Sequence, residues 1–145
     1  MISAADILAA RLLVVDDDID ALRTLQQMLT AAGYADVATM HDPRAVANLH
    51  RERDFDAILL DVQMPHMDGF EVMESLKPFE RGGYLPVLAL TAEPGHRTQA
   101  LRYGAKDFLR KPFDPEELLL RVRNLLEVRL LYKECAAAAA RTAAA

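Results

Sequence analysis

The sequence predicts an α/β fold, a doubly wound five-stranded parallel sheet with five flanking helices, and three observations predict it. Short apolar runs alternate with helix-patterned segments five times, the order that a parallel sheet with crossover helices requires. Those runs are continuous, as in Leu12-Leu13-Val14-Val15 and Ala57-Ile58-Leu59-Leu60, so both faces of the strands must be covered. With 145 residues, 52% of them hydrophobic and 27% charged, the chain can bury the core of one domain and lacks the composition of a disordered one.

The elements follow in order. Met1 to Arg11 is mildly apolar but has neither the basic start nor the long apolar stretch of a signal peptide, and residues 1–10 read as a leader. After the first strand, Ile19, Leu22, Leu25, Met28 and Leu29 fall at helical spacing, and Gly33 stops the helix. Val37 to Met40 reads as a second strand. Asp42-Pro43 then supplies an N-cap and a first-turn proline for a helix through about Leu49. The third strand ends on Asp61. A turn from Gln63 through Met64, Pro65, His66, Met67 and Asp68 to Gly69 leads into a helix from Phe70 to about Leu76. Pro86 to Leu90 is the fourth strand and runs onto Thr91. A short helix from about Arg97 to Arg102 is closed by Gly104, and Asp107 to Arg110 is the fifth strand, running into Lys111-Pro112. Asp114, Pro115 and Glu117 form a capping-box start for the last helix. Right-handed crossovers make the doubly wound arrangement the natural outcome of this order.

Composition excludes several function classes. A net charge of −5 gives no global attraction to nucleic acid or an anionic membrane. The single cysteine, Cys135, rules out an internal disulfide framework, and His41, His50, His66 and His96 are too scattered for a zinc motif. No run approaches membrane-spanning length, and the expected compartment is the cytoplasm. There is no G-x-S-x-G elbow, P-loop, dinucleotide fingerprint or DNA-binding segment.

In an open α/β sheet, ligands bind outside the carboxyl ends of the strands. Strand one delivers Asp16 and Asp17 there, strand three Asp61, strand four Thr91 and strand five Lys111. Each alone has a bland reading: a helix cap, a solvated turn, a solvated cation. Asp18, third in its run, is read as just such a cap. Together at one edge, three carboxylates repel and need a counter-ion. Carboxylate, carbonyl and water oxygens suit Mg²⁺. An aspartate can attack phosphorus to give an aspartyl phosphate, while metal and ammonium neutralise the transferring oxygens.

Asp16-Asp17, Asp61-Val62-Gln63-Met64-Pro65-His66-Met67-Asp68-Gly69, Thr91-Ala92 and Lys111-Pro112-Phe113 closely resemble the response-regulator receiver family of two-component signalling, over roughly Arg11 to Glu127. The resemblance implies a flavodoxin-like, chemotaxis-regulator-like sheet with strand order 2-1-3-4-5. It implies Asp61 as phosphoacceptor, with Mg²⁺ bound by Asp17, Asp61 and the Gln63 backbone carbonyl, and by Asp16 through water. Thr91 would move toward the acyl phosphate, Lys111 would pair with it, Pro112 would be cis, and Phe108 would occupy the family's aromatic switch position. Gln63 and Glu93 would tune hydrolysis. The 20-residue step from Thr91 to Lys111 is short, which implies a trimmed fourth helix or loops. The donor would be a phosphohistidine on a sensor histidine kinase or phosphotransfer protein. The output would pass through the surface of the fourth helix, fifth strand and fifth helix (the family's α4-β5-α5 face), a candidate homodimer surface. The chain is read as a phosphoacceptor, not as a turnover enzyme.

Residues 11–127 complete such a domain, and 128–145 read as an extension of the last helix, a linker or dimerisation segment. Leu118, Val122, Leu125, Arg129 and Tyr132 recur at heptad-like spacing, and Val128, Leu130, Leu131 and Tyr132 are expected to leave apolar surface exposed. Asn124 to Arg129 resembles the junction to an HD-GYP output domain. Two rivals stand. An Mg²⁺-dependent aspartyl-phosphate phosphohydrolase would need a second acid two residues after the nucleophile, where Gln63 stands. A receiver fold used only as a constitutive interaction module would commonly have lost an acid or the lysine, and all are present.

Overall fold

Five parallel strands, β1 (Arg11–Val15), β2 (Asp36–Met40), β3 (Ala57–Asp61), β4 (Val87–Thr91) and β5 (Asp107–Arg110), pair in the order β2-β1-β3-β4-β5. The computed structural model describes residues 1–63, 69–80, 83–93 and 95–144; the predicted turn residues Met64, Pro65, His66, Met67 and Asp68 lie outside them. The strand order places the topological switch between β1 and β3, where ligand sites of such sheets form.

Among the described residues, six α-helices flank the sheet: α1 (Ala4–Leu8), α2 (Ile19–Ala31), α3 (Val46–Arg53), α4 (Gly69–Glu80), α5 (His96–Arg102) and α6 (Pro115–Ala144). Side chains along a strand alternate between faces, and the continuous apolar runs therefore feed two cores. Leu12 and Val14 point into one core with Leu22, Leu25 and Leu29 of α2 and Leu118, Val122 and Leu126 of α6. Leu13 and Val15 point into the other with Val46 of α3, Val72, Met73 and Leu76 of α4 and Ala100 of α5. Burying each such aliphatic side chain contributes about 1.5–3 kcal/mol.

The predicted sheet and its five helices are present, and the differences have local causes. The segment read as a leader holds a sixth helix, α1. Ser3 and Asp6 cap it reciprocally, and Ile7 is buried against the α2–α6 core. Five residues are too few for periodicity to reveal. Asp42 caps the predicted second helix through the Arg44 N–H, but its first turn, Pro43–Ala45, is 3₁₀. α4 runs past Pro78 to Glu80, because Phe79 packs on the core and meets the His50 ring edge-on at 4.7 Å. At the start of α6 Asp114 accepts the Glu116 N–H, whereas the Glu117 carboxylate is taken up by Arg121.

The heptad-like spacing in α6 marks its inward face. Leu118, Val122, Leu125, Leu126 and Arg129 are buried, while Tyr132 is exposed. Leu130 packs against the core, and Val128 and Leu131 stay exposed as expected. No helix among the described residues is long and apolar enough to cross a membrane.

Candidate functional site

The carboxyl edge of the sheet gathers the predicted side chains. Asp16 and Asp17 directly follow β1, Asp61 and Thr91 are the last residues of β3 and β4, and Lys111 directly follows β5. β1 pairs in register with β3, and β3 with β4, so the three central strands end level. Carboxylate oxygens of Asp16, Asp17 and Asp61 lie within 4.8 Å of one another. The Lys111 Nζ stands 3.3 Å from Asp16 Oδ2 and 3.5 Å from Asp61 Oδ2. Asp16 and Asp61 are buried, whereas Asp17 is exposed at the mouth.

Backbone groups fix these acids. The Asp18 N–H donates to Asp16 Oδ1 at 3.0 Å, and the Gln63 N–H donates to Asp61 Oδ1 at 3.0 Å. Asp18 itself caps α2 through the N–H groups of Asp20 and Ala21, the bland role read for it. Gly69 opens α4 with its N–H on the Val62 carbonyl, and a Cβ there would drive into the Val62 backbone. Only glycine lets α4 approach the residue after Asp61 so closely. The Lys111–Pro112 peptide is cis, and the Lys111 N–H donates to the Thr91 carbonyl at 2.8 Å, tying β5's end to β4's.

The electrostatics are those of crowded acids. Burial pushes the Asp61 carboxyl above its ordinary range, and Asp16 adds to this against the pull of the Gln63 N–H and Lys111. Asp17 is also raised, first by desolvation and then by Asp16. One ammonium does not balance three carboxylates, and hard oxygen donors at this spacing suit a divalent cation that keeps some of its water.

Thr91 and Phe108 complete the predicted set. Thr91 is fully buried, and its hydroxyl meets the Glu93 N–H at 3.1 Å and His96 Nδ1 at 3.4 Å. Phe108 lies beside Ala89 in register on β5, half-buried against the α3–α5 core. Two features escaped the sequence reading. One is the His96 contact, which needed the short step from Thr91 to α5 to be noticed. The other is a buried network at the opposite sheet edge: Asp56 accepts from Arg129 Nε at 3.3 Å, Lys133 Nζ at 3.0 Å and the Arg11 N–H at 2.9 Å.

Comparisons with known proteins agree with this fold. A family model described as the response regulator receiver domain matches residues 12–123. The chain is 43% identical over 129 residues to Response regulator PleD of Caulobacter vibrioides, covering 88% of this chain and 28% of that protein. It is 43% identical over 118 residues to Response regulator MprA of Mycolicibacterium vanbaalenii, covering 80% and 50%. The chain thus spans half or less of the length of these curated relatives. Among solved structures, Vibrio cholerae chemotaxis protein CheY4 superposes with a TM-score of 0.73 at 34% identity, over 81% of this chain and 98% of that one. The receiver domain of sensor histidine kinase PA1611 from Pseudomonas aeruginosa, with a magnesium ion coordinated in its active site cleft, gives 0.74 at 29%, over 82% and 98%. By its family model, its relatives and its strand order, this chain belongs to the response-regulator receiver family.

Proposed function

We propose that Asp61 accepts a phosphoryl group from a phosphohistidine on a partner sensor kinase or phosphotransfer protein, with Mg²⁺ held beside it. The observation that carries this is the meeting of three carboxylates, within 4.8 Å of one another, with the Lys111 ammonium at one sheet edge. In the step, an Asp61 carboxylate oxygen bonds to phosphorus, the P–N bond to the donor imidazole breaks, and the imidazole leaves with a proton from solvent. Asp17, Asp61 and the Gln63 carbonyl would hold the metal, with Asp16 acting through water. The bound ion supplies charge neutralisation of the transferring oxygens. Lys111 pairs with the product phosphate, and the Thr91 hydroxyl donates to it. PA1611's receiver, with its magnesium ion, supports the metal assignment by likeness.

The added charge, about −1.5 to −2, would bias Thr91 and the Phe108 rotamer and so remodel the α5–β5–α6 surface. On this reading the receiver body is residues 11–127, and 128–145 serve as a C-terminal extension, a linker or dimerisation segment. The greater length of PleD and MprA fits a receiver that regulates an output unit, of the HD-GYP kind that the α6 junction resembles or another. The test is incubation with acetyl phosphate and Mg²⁺, followed by intact mass. Wild type is expected to gain one phosphoryl group and Asp61→Asn none. An unmodified wild type would instead indicate a constitutive interaction module.

A further inference from the structure

A threonine hydroxyl has one proton and two lone pairs. At Thr91 one lone pair is taken by the Glu93 N–H at 3.1 Å. Nδ1 of His96 stands 3.4 Å from the hydroxyl and is the proton's partner in the tautomer that carries its hydrogen on Nε2. His96 also has a packing partner. Its ring meets Phe70 edge-on, with centroids 5.7 Å apart at 87°, and Phe70 is buried against Tyr103. Phe70 in turn follows Gly69, whose backbone presses on Val62, the neighbour of Asp61. The imidazole therefore touches both the first turn of α4 and the hydroxyl of Thr91.

We propose that His96 is a positioning residue that holds the Thr91 hydroxyl away from Asp61 and so sets how readily the site takes up a phosphoryl group. The proposal rests on the reading of Asp61 as phosphoacceptor and adds a residue to its regulation. The proposal assigns His96 the tautomer with its hydrogen on Nε2, in which Nδ1 accepts from the hydroxyl. The hydroxyl's single proton cannot point at His96 and at a phosphoryl oxygen together, so the two are competing acceptors. At 3.4 Å the bond is long, which makes it a bias and not a lock. A neutral hydrogen bond of ordinary net strength shifts such an equilibrium by roughly two- to tenfold.

The bland alternative is that His96 only fills space against Phe70. Two substitutions separate these roles because they remove opposite properties. His96→Phe keeps a ring against Phe70 but has no acceptor. His96→Asn discards the ring but puts an amide oxygen near the position of Nδ1. A packing role predicts wild-type behaviour for His96→Phe and a defect for His96→Asn; the hydroxyl-holding role predicts the reverse.

The experiment is the initial rate of mass gain from acetyl phosphate with Mg²⁺, with His96→Leu as a second acceptor-free variant and a melting curve on each protein. His96→Phe and His96→Leu are expected to phosphorylate roughly two- to tenfold faster than wild type, with His96→Asn within about twofold of it. Folded acceptor-free variants no faster than wild type would overturn the role of His96 and leave the receiver reading intact. A wild type that gains no phosphoryl group would sink both.

Discussion

Replacing Arg129 by methionine tests whether α6 is fastened to the receiver body beyond its apolar face. Arg129 and Asp56 are 8% and 5% exposed, so solvent screens their ion pair little. The guanidinium donates to Asp56 Oδ1, to the Tyr84 carbonyl at 2.6 Å and to the Phe55 carbonyl at 3.5 Å. Methionine keeps the apolar stem and removes the charge and its donors. Breaking a buried pair by deleting one partner costs about 3–5 kcal/mol. Asp56 keeps Lys133 and the Arg11 N–H, which puts the expected loss near the lower end, about 3 kcal/mol. With a urea m-value of roughly 2 kcal/mol/M, the unfolding midpoint should fall by about 1.5 M. Lys133 is the internal control: its ammonium is half exposed, so Lys133→Met should cost less than about 1 kcal/mol. Arg129→Met combined with Asp56→Asn should cost less than the sum of the two single losses, because the pair they share is then removed once. The assay is urea denaturation of wild type and these four variants followed by circular dichroism. An Arg129→Met loss no greater than that of Lys133→Met would refute the reasoning.

Other outcomes follow from the same geometry. Asp61 has a raised carboxyl in the fold, so its ionised form opposes folding above the unfolded Asp value near 3.9. Asp61→Asn should therefore raise the metal-free melting temperature at pH 7, and the gain should vanish as the pH falls below about 4. Asp56 is opposite in sign. Burial raises it, but the Arg11 N–H, Lys133 and Arg129 together hold it below its ordinary value, so its contribution is present above about pH 4 and lost as acid protonates it. Asp56→Asn should thus destabilise at pH 7 and lose that effect in acid, as read from melting curves. Gly69→Ala must displace the Val62 backbone and should cost about 1–3 kcal/mol while slowing phosphorylation from acetyl phosphate. Lys111→Met removes a cation that competes for Asp16 and Asp61, and should tighten Mg²⁺ binding by calorimetry roughly two- to tenfold.

The strand ends were legible because each apolar run stops abruptly on a polar side chain. Asp61 after Ile58-Leu59-Leu60 and Thr91 after Leu88-Ala89-Leu90 mark the functional edge without any coordinates. The 4-and-3 spacing in α6 was legible too, but spacing alone does not say what an apolar face packs against. It marks a helix laid on its own sheet, with Arg129 at the end of that face meeting Asp56, 73 residues earlier. Long-range pairs of this kind leave no local signal. α1 escaped because a five-residue helix has less than two turns of periodicity, although Ser3 and Asp6 carried its cap. His96 escaped because its partner is a hydroxyl five residues earlier across a strand-to-helix turn, where neither strand nor helix period applies.

Site mapping of the phosphoryl adduct tests the account most directly. After acetyl phosphate treatment with Mg²⁺, borohydride reduces an acyl phosphate to an alcohol, so a modified aspartate is read as homoserine in the peptide spectrum. Homoserine at position 61 and nowhere else is the expected result. Homoserine at another carboxylate with residue 61 unchanged would contradict it.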